Sequence, residues 1–140
     1  MPEIDSELEL ALNYLDHNKD ESLKRLFDIL KIPSISTQEK YSKDCLNAAN
    51  WFVEQLKDIG FDASIRETNG HPMVVAHFEQ EGPHFLFYGH YDVQPIDPIE
   101  LWNHDPFEPK IEKSHNGEII KARGASDDKG QVMTFIEACR

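Results

Sequence analysis

Phe85-Leu86-Phe87-Tyr88-Gly89-His90-Tyr91-Asp92-Val93-Gln94-Pro95 is the stretch on which the fold turns. His84 to Tyr88 is apolar nearly throughout. So short and continuous an apolar run predicts a strand covered on both faces, as in an α/β sheet. The chain then changes character at Gly89. His90 and Asp92 follow at the C-terminal end of the expected strand, where open α/β sheets place their ligands. Residues i and i+2 of an extended chain point to one side. His90 is therefore a candidate metal ligand through one ring nitrogen. Asp92 is the carboxylate that would accept the other N–H and fix the tautomer. On spacing alone, His-x-Asp after an apolar strand favours an ordinary histidine bonded to a neighbouring carboxylate.

Upstream, Leu23, Leu26, Phe27 and Leu30 recur at helical spacing, predicting a helix that Asp20 caps and Pro33 stops. Leu8, Ala11, Leu12 and Leu15 predict a separate short helix before it. A further helix is expected from Ser42 to Ile59, with Leu46, Ala49, Val53 and Leu56 as its buried stripe and Gly60 as a left-handed cap. Phe61, Ala63 and Ile65 alternate with polar residues, which marks a half-buried strand. Asn69-Gly70 supplies a turn into a second strand, Met73 to Phe78.

Downstream, Asp92 to Pro109 reads as an ordered loop rich in Pro and Asp. Ile111 and Ile119-Ile120 flank Ser114-His115-Asn116-Gly117, a hairpin pattern. Lys129 to Arg140 reads as a helix with Val132, Phe135, Ile136 and Cys139 on one face. The expected class is α/β, with helices packed on a mixed, mostly parallel sheet.

Composition narrows the function. The 140 residues carry 14 Lys and Arg against 26 Asp and Glu, a formal charge of −12. That charge argues against nucleic acid and anionic membrane as partners. No apolar stretch approaches the roughly 20 residues of a membrane helix. The start, Met1-Pro2-Glu3-Ile4-Asp5, has no apolar signal segment. Two cysteines, Cys45 and Cys139, make neither a disulfide scaffold nor a Cys-rich zinc site, so a cytoplasmic setting is expected.

A second acidic stretch precedes the last helix: Arg123-Gly124-Ala125-Ser126-Asp127-Asp128-Lys129-Gly130. Asp127 and Asp128 fit helix capping. They equally fit a carboxylate that ligates or bridges cations, since its two oxygens can span a pair of ions about 3.5–4 Å apart.

Taken together, the two stretches resemble the dinuclear zinc peptidase and deacylase family of carboxypeptidase G, acetylornithine deacetylase, succinyl-diaminopimelate desuccinylase and carnosinase. Gly-His-Tyr-Asp-Val-Gln-Pro is close to the carnosinase-like, cytosolic dipeptidase branch. Ile32-Pro33-Ser34-Ile35-Ser36, Trp102 and Asp105-Pro106-Phe107 follow the same pattern, and His90 and Asp127 stand 37 residues apart, as that branch has them. The resemblance implies that His90 ligates one zinc, that Asp127 bridges two, and that Asp92 orients His90. It also implies a cis peptide after Asp127.

The implied activity is hydrolysis of a dipeptide or related N-acyl amino acid, by a homodimer in the complete protein. Residues 1–140 then read as the N-terminal portion of the catalytic domain. The resemblance also implies a downstream Glu-Glu pair (general base, then zinc ligand), a later Asp and His for the metals and an inserted dimerisation domain; none is found in this chain, and the chain alone is expected to be inactive. The competing expectation is a stand-alone, non-catalytic relic or binding chain with at most a weak metal site. His71, His77, His84, His104, Trp102 and Phe107 read as structural or loop residues, His104 as a surface one. Cys139 reads as a buried small hydrophobe. Arg123 fits either a partner of a site carboxylate or an ordinary ion pair.

Overall fold

The computed structural model describes residues 2–115 and 117–140. In chain order the elements are α1 (Pro2–Leu30), α2 (Ser42–Asp58), β1 (Asp62–Arg66), β2 (Met73–His77), β3 (Lys110–Ser114), β4 (Gly117–Lys121) and α3 (Lys129–Cys139). Short 3-10 turns occupy Glu39–Tyr41 and Ile99–Leu101. Asn116, in the expected β3–β4 turn, lies outside the described residues.

The two apolar stripes expected to form separate helices share one helix, α1. The polar stretch Asp16 to Asp20 lies mid-helix, and Asp20 starts nothing. His17 and Asn18 bond to the carbonyls of Asn13 and Tyr14 one turn back. Polar residues on a solvated helix cost only some tenths of a kcal/mol each, so they mark no boundary. Ile29 and Leu30 at its C-terminal end are fully buried, whereas Leu8, Leu12 and Leu15 are exposed.

α2 ends as the sequence predicts. Gly60 takes φ +93°, its N–H bonds to Lys57 O at 3.0 Å, and Phe61 N–H bonds to Leu56 O at 3.0 Å. This pair of bonds is the Schellman closure. The buried face is Cys45, Ala48, Ala49, Phe52, Val53 and Leu56, and Leu46 is exposed. The core joins this face to Ile29 of α1, Ala63 of β1, and Met133 and Ile136 of α3. Ile136 of the expected face is buried, but α3 is rotated so that Met133 joins it in the core, and Cys139 at its C-terminal end is exposed.

The α/β class holds, but the pairing differs from the expected mostly parallel sheet. β1 pairs antiparallel with β2, Ala63 opposite Ala76, and β3 pairs antiparallel with β4, Ile111 opposite Ile120. Among the described residues, parallel pairing is confined to an isolated bridge, Ile35 to Val93. His84–Tyr88 is not a paired strand. Phe85, Leu86 and Tyr88 are 92%, 99% and 83% exposed. An apolar run is suited to a covered strand, but no described segment lies alongside to bond it. A cleft of about 670 Å³ separates it from β2. Phe87 is stacked on Phe135 of α3 with ring centroids 4.0 Å apart, and the His84 ring lies 6.1 Å from that of His77.

Two polar contacts tie the helices together. Lys129, fully buried at the start of α3, donates to Ile29 O at 3.0 Å and Ile32 O at 2.6 Å, at the C-terminal end of α1. Burial pushes its pKa down to about 7, against the opposing pull of Cys45, Asp92 and Asp44. Farther along α3, Glu137 accepts Arg25 Nε at 2.7 Å, Arg25 Nη2 at 2.6 Å and Ser22 Oγ at 2.7 Å. The Arg25 hydrogen bond holds the Glu137 carboxyl below its ordinary value. Glu137 is thus a structural partner of α1.

A carboxyl with a lowered folded pKa stabilises the fold above its unfolded value, and that contribution vanishes as pH falls through the lowered one. Glu137→Gln should therefore lose about 1–2 kcal/mol at pH 7, allowing for partial exposure. The gap to wild type should close as pH drops below the ordinary 4.5. Urea denaturation of both chains from pH 7 to 3 measures it.

Candidate metal centre

The segment carrying His90 and Asp92 is pinned from the loop after α1. Val93 N–H donates to Ser34 O at 2.9 Å, and Ser34 Oγ donates to Tyr91 O at 2.7 Å. Ser36 Oγ donates to Asp92 Oδ2 at 2.5 Å. Ile-Pro-Ser-Ile-Ser is thus a support for the site. Asp127 and Asp128 arrive from the other side, on the turn that opens α3, and the peptide between them is cis.

His90 and Asp127, separated by 37 residues, meet in space: Nε2 lies 3.0 Å from Asp127 Oδ1. On the other edge of the ring, Nδ1 lies 3.1 Å from the Asp92 main-chain oxygen and 3.2 Å from its Oδ1. The carbonyl satisfies hydrogen-bond geometry there, so Asp92 holds the ring chiefly through its backbone, with its carboxylate alongside. Acceptor oxygens therefore face both ring nitrogens, those of Asp92 at Nδ1 and that of Asp127 at Nε2.

Two electron-rich atoms facing each other at 3.0 Å call for a proton or a cation between or beside them. Two ligands about 2.0–2.1 Å from a tetrahedral ion would stand about 3.3 Å apart. The nitrogen-and-oxygen donor set suits a borderline cation. Burial works against a charged His90, but the Asp92 carbonyl, the Asp92 and Asp128 charges and the Asp127 hydrogen bond outweigh it and raise its pKa. The field that favours a proton at this point also favours a metal ion. His90, Asp127 and Asp128 each offer a ligand atom, all within 4.8 Å of one another, and Asp127 is exposed.

Asp128 does not cap α3 with its side chain. Its Oδ2 accepts the His90 main-chain N–H at 3.1 Å. Neither this contact nor that of Ser36 has a local signature, because each partner lies far off in sequence. Gly89 is required by close approach. A Cβ there would lie 2.5 Å from Val132 Cγ2 of α3 and 3.2 Å from Asp128 Oδ2.

The other candidates lie apart from this cluster. His104 is buried, not on the surface: its side chain is 5% exposed, with Nε2 3.2 Å from Lys121 O and Nδ1 3.8 Å from Glu112. His71 Nε2 is 2.8 Å from Ser36 O. Arg123 pairs with no site carboxylate; it donates to Pro95 O at 3.0 Å and lies over the Trp102 ring. Cys45 is buried, and burial pushes its thiol up, which suits no nucleophile.

The sequence pattern of peptidase family M20/M25/M40 matches residues 86–140, the span holding every residue of this cluster. That match and the relatives below support an M20-type metallopeptidase, of which the chain resembles the N-terminal part. The chain is 30% identical to the Cys-Gly metallodipeptidase DUG1 of Candida albicans, over 92% of this chain and 29% of that protein. It is 38% identical to a succinyl-diaminopimelate desuccinylase of Alkalilimnicola ehrlichii, over 61% of this chain and 22% of that enzyme. Among solved structures, the di-peptidase Dug1p of Saccharomyces cerevisiae superposes with TM-score 0.76 at 28% identity, covering 89% of this chain and 29% of that one. Human carnosine dipeptidase 1 gives 0.78 at 25% identity, covering 94% and 30%. The chain thus spans under a third of the length of these relatives. Among the described residues, no helix is long and apolar enough to cross a membrane.

Gly89→Ala should cost about 1–3 kcal/mol by overpacking against α3. Gly89→Ala with Val132→Ala should recover part of that loss, since the nearest clash is with Val132. Chemical denaturation of the single and double variants checks both expectations.

Proposed function

We propose that this chain supplies His90 and Asp127 to the metal centre of a zinc-dependent peptidase that hydrolyses dipeptides or related N-acyl amino acids. The observation that carries this reading is the His90 Nε2–Asp127 Oδ1 approach of 3.0 Å, with Asp92 behind the ring. His90, through Nε2, and Asp127, through its carboxylate, are the residues of this chain that would hold the zinc. With a metal at Nε2, Asp92 would keep the proton on Nδ1 and hold the ring in the orientation that ligation needs. Ser36, by donating to Asp92, fixes that carboxylate against rotation. Two zinc ions there would supply Lewis acidity toward a peptide carbonyl and a nucleophilic water at neutral pH.

The substrate class follows the relatives, a Cys-Gly metallodipeptidase, a carnosine dipeptidase and a succinyl-diaminopimelate desuccinylase. The general base and remaining ligands are assigned to no residue of this chain, so the 140 residues alone are read as inactive. A cytoplasmic homodimer is the proposed setting of the complete protein.

Zinc titration of the 140-residue chain, followed by competition with a chromophoric chelator, tests the centre. His90→Ala and Asp127→Ala should each weaken binding at least about tenfold, and zinc at a hundred times its Kd should add about 2.7 kcal/mol of stability in wild type alone. In a chain extended to the length of the relatives, either variant should abolish dipeptide hydrolysis. Wild-type turnover by either one overturns the proposal. Zinc binding with no hydrolysis in the extended chain would favour a non-catalytic binding chain.

A further inference from the structure

We infer that Asp128 is a positioning residue: its carboxylate accepts the His90 main-chain N–H and so fixes where the imidazole meets Asp127. The inference rests on the proposed metal centre and adds a residue to its support. Asp128 stands where a capping side chain is expected, yet it makes no cap to α3 and its Oδ2 is turned to His90 N at 3.1 Å. The backbone is drawn in to make this bond. A Cβ on Gly89 would sit 3.2 Å from that same oxygen and 2.5 Å from Val132, so a side chain there would push the His90 segment off α3.

The consequence is a histidine held at two points. Its main chain is fastened to α3 through Asp128, and its Nδ1 is fastened to Asp92, which leaves Nε2 to face Asp127. Because Asp127 and Asp128 are adjacent, one turn presents a carboxylate to the ring and another to the backbone beneath it. The distance between imidazole and Asp127 is thereby set within one short unit, although the two residues lie 37 positions apart.

An amide oxygen accepts an N–H as a carboxylate does, but it is a much poorer metal ligand. Asp128→Asn therefore separates the positioning role from direct ligation, and Asp128→Ala removes both. The full 140-residue chain is followed in two ways. Amide hydrogen exchange at His90, read by NMR without metal, reports the bond itself. Affinity for zinc ion alone reports its effect on the centre.

In Asp128→Ala the His90 amide should exchange at least about tenfold faster, and zinc affinity should fall about tenfold, the usual scale for groups that orient ligands. In Asp128→Asn both should stay within about threefold of wild type. Equal His90 exchange in all three chains overturns the inference. So does an Asp128→Asn chain that loses zinc as badly as Asp128→Ala, because a carboxylate ligand is then needed. If Asp128→Ala fails to fold, Asp128→Asn decides: retained protection supports the bond, and lost protection overturns it. Unchanged zinc affinity in His90→Ala and Asp127→Ala would instead defeat the proposed centre, with the exchange measurement still deciding the hydrogen bond.

Discussion

The amine of Lys129 is the joint on which the rest of the structure depends. It lies fully buried between the end of α1 and the start of α3, and it donates to the carbonyls of Ile29 and Ile32, each of which also accepts a main-chain N–H from the turn that follows α1. Taking a charge out of water is costly, and burial lowers the Lys129 pKa to about 7. A neutral amine still has two N–H groups, one for each carbonyl, so the joint does not depend on its charge state. Both halves of the candidate centre hang from it. The chain leaving α1 runs through Ser34 and Ser36, which hold Tyr91, Val93 and Asp92. Lys129 itself follows Asp127 and Asp128 directly.

The geometry then narrows step by step toward one ring. α1 and α3 are locked by Lys129 at one level and by Arg25 with Glu137 at another. Between them the His90 segment is held by Ser34 from the α1 side and by Phe87 stacking and Asp128 from the α3 side. The imidazole has little freedom left, and its Nε2 lies against Asp127. The rigidity of the site comes from packed helices, although the residues that form it stand on loops.

Features encoded by near neighbours were legible in the sequence. α2 and α3 follow from apolar spacing, the end of α2 from Gly60, the strands β1 and β2 from their short apolar runs, and the β3–β4 hairpin from Ile111 and Ile119-Ile120. Boundaries set by solvation were less so: the polar stretch Asp16 to Asp20 looked like a break and is mid-helix surface. What depends on distant partners was hidden. His84–Tyr88 has the composition of a covered strand, but pairing needs a neighbour, and the described chain offers none. His104 and Cys139 were misplaced because exposure is decided by what packs across from a residue. His90, Asp92 and Asp127 stood out through their motifs, whereas Ser36 and Asp128 gained their contacts only when the chain folded.

The bare ribbon from Phe85 to Tyr88 has a consequence for the behaviour of this polypeptide in a test tube. Unbonded main chain beside large apolar side chains is a template for sticking. What opposes it is the surplus of negative charge, −12 over 140 residues, which keeps copies apart while salt is dilute. Added electrolyte shortens the reach of that repulsion to about 3 Å at 1 M, less than the spacing between neighbouring strands. Colloidal stability here is therefore electrostatic in origin, and ionic strength is the variable that governs it.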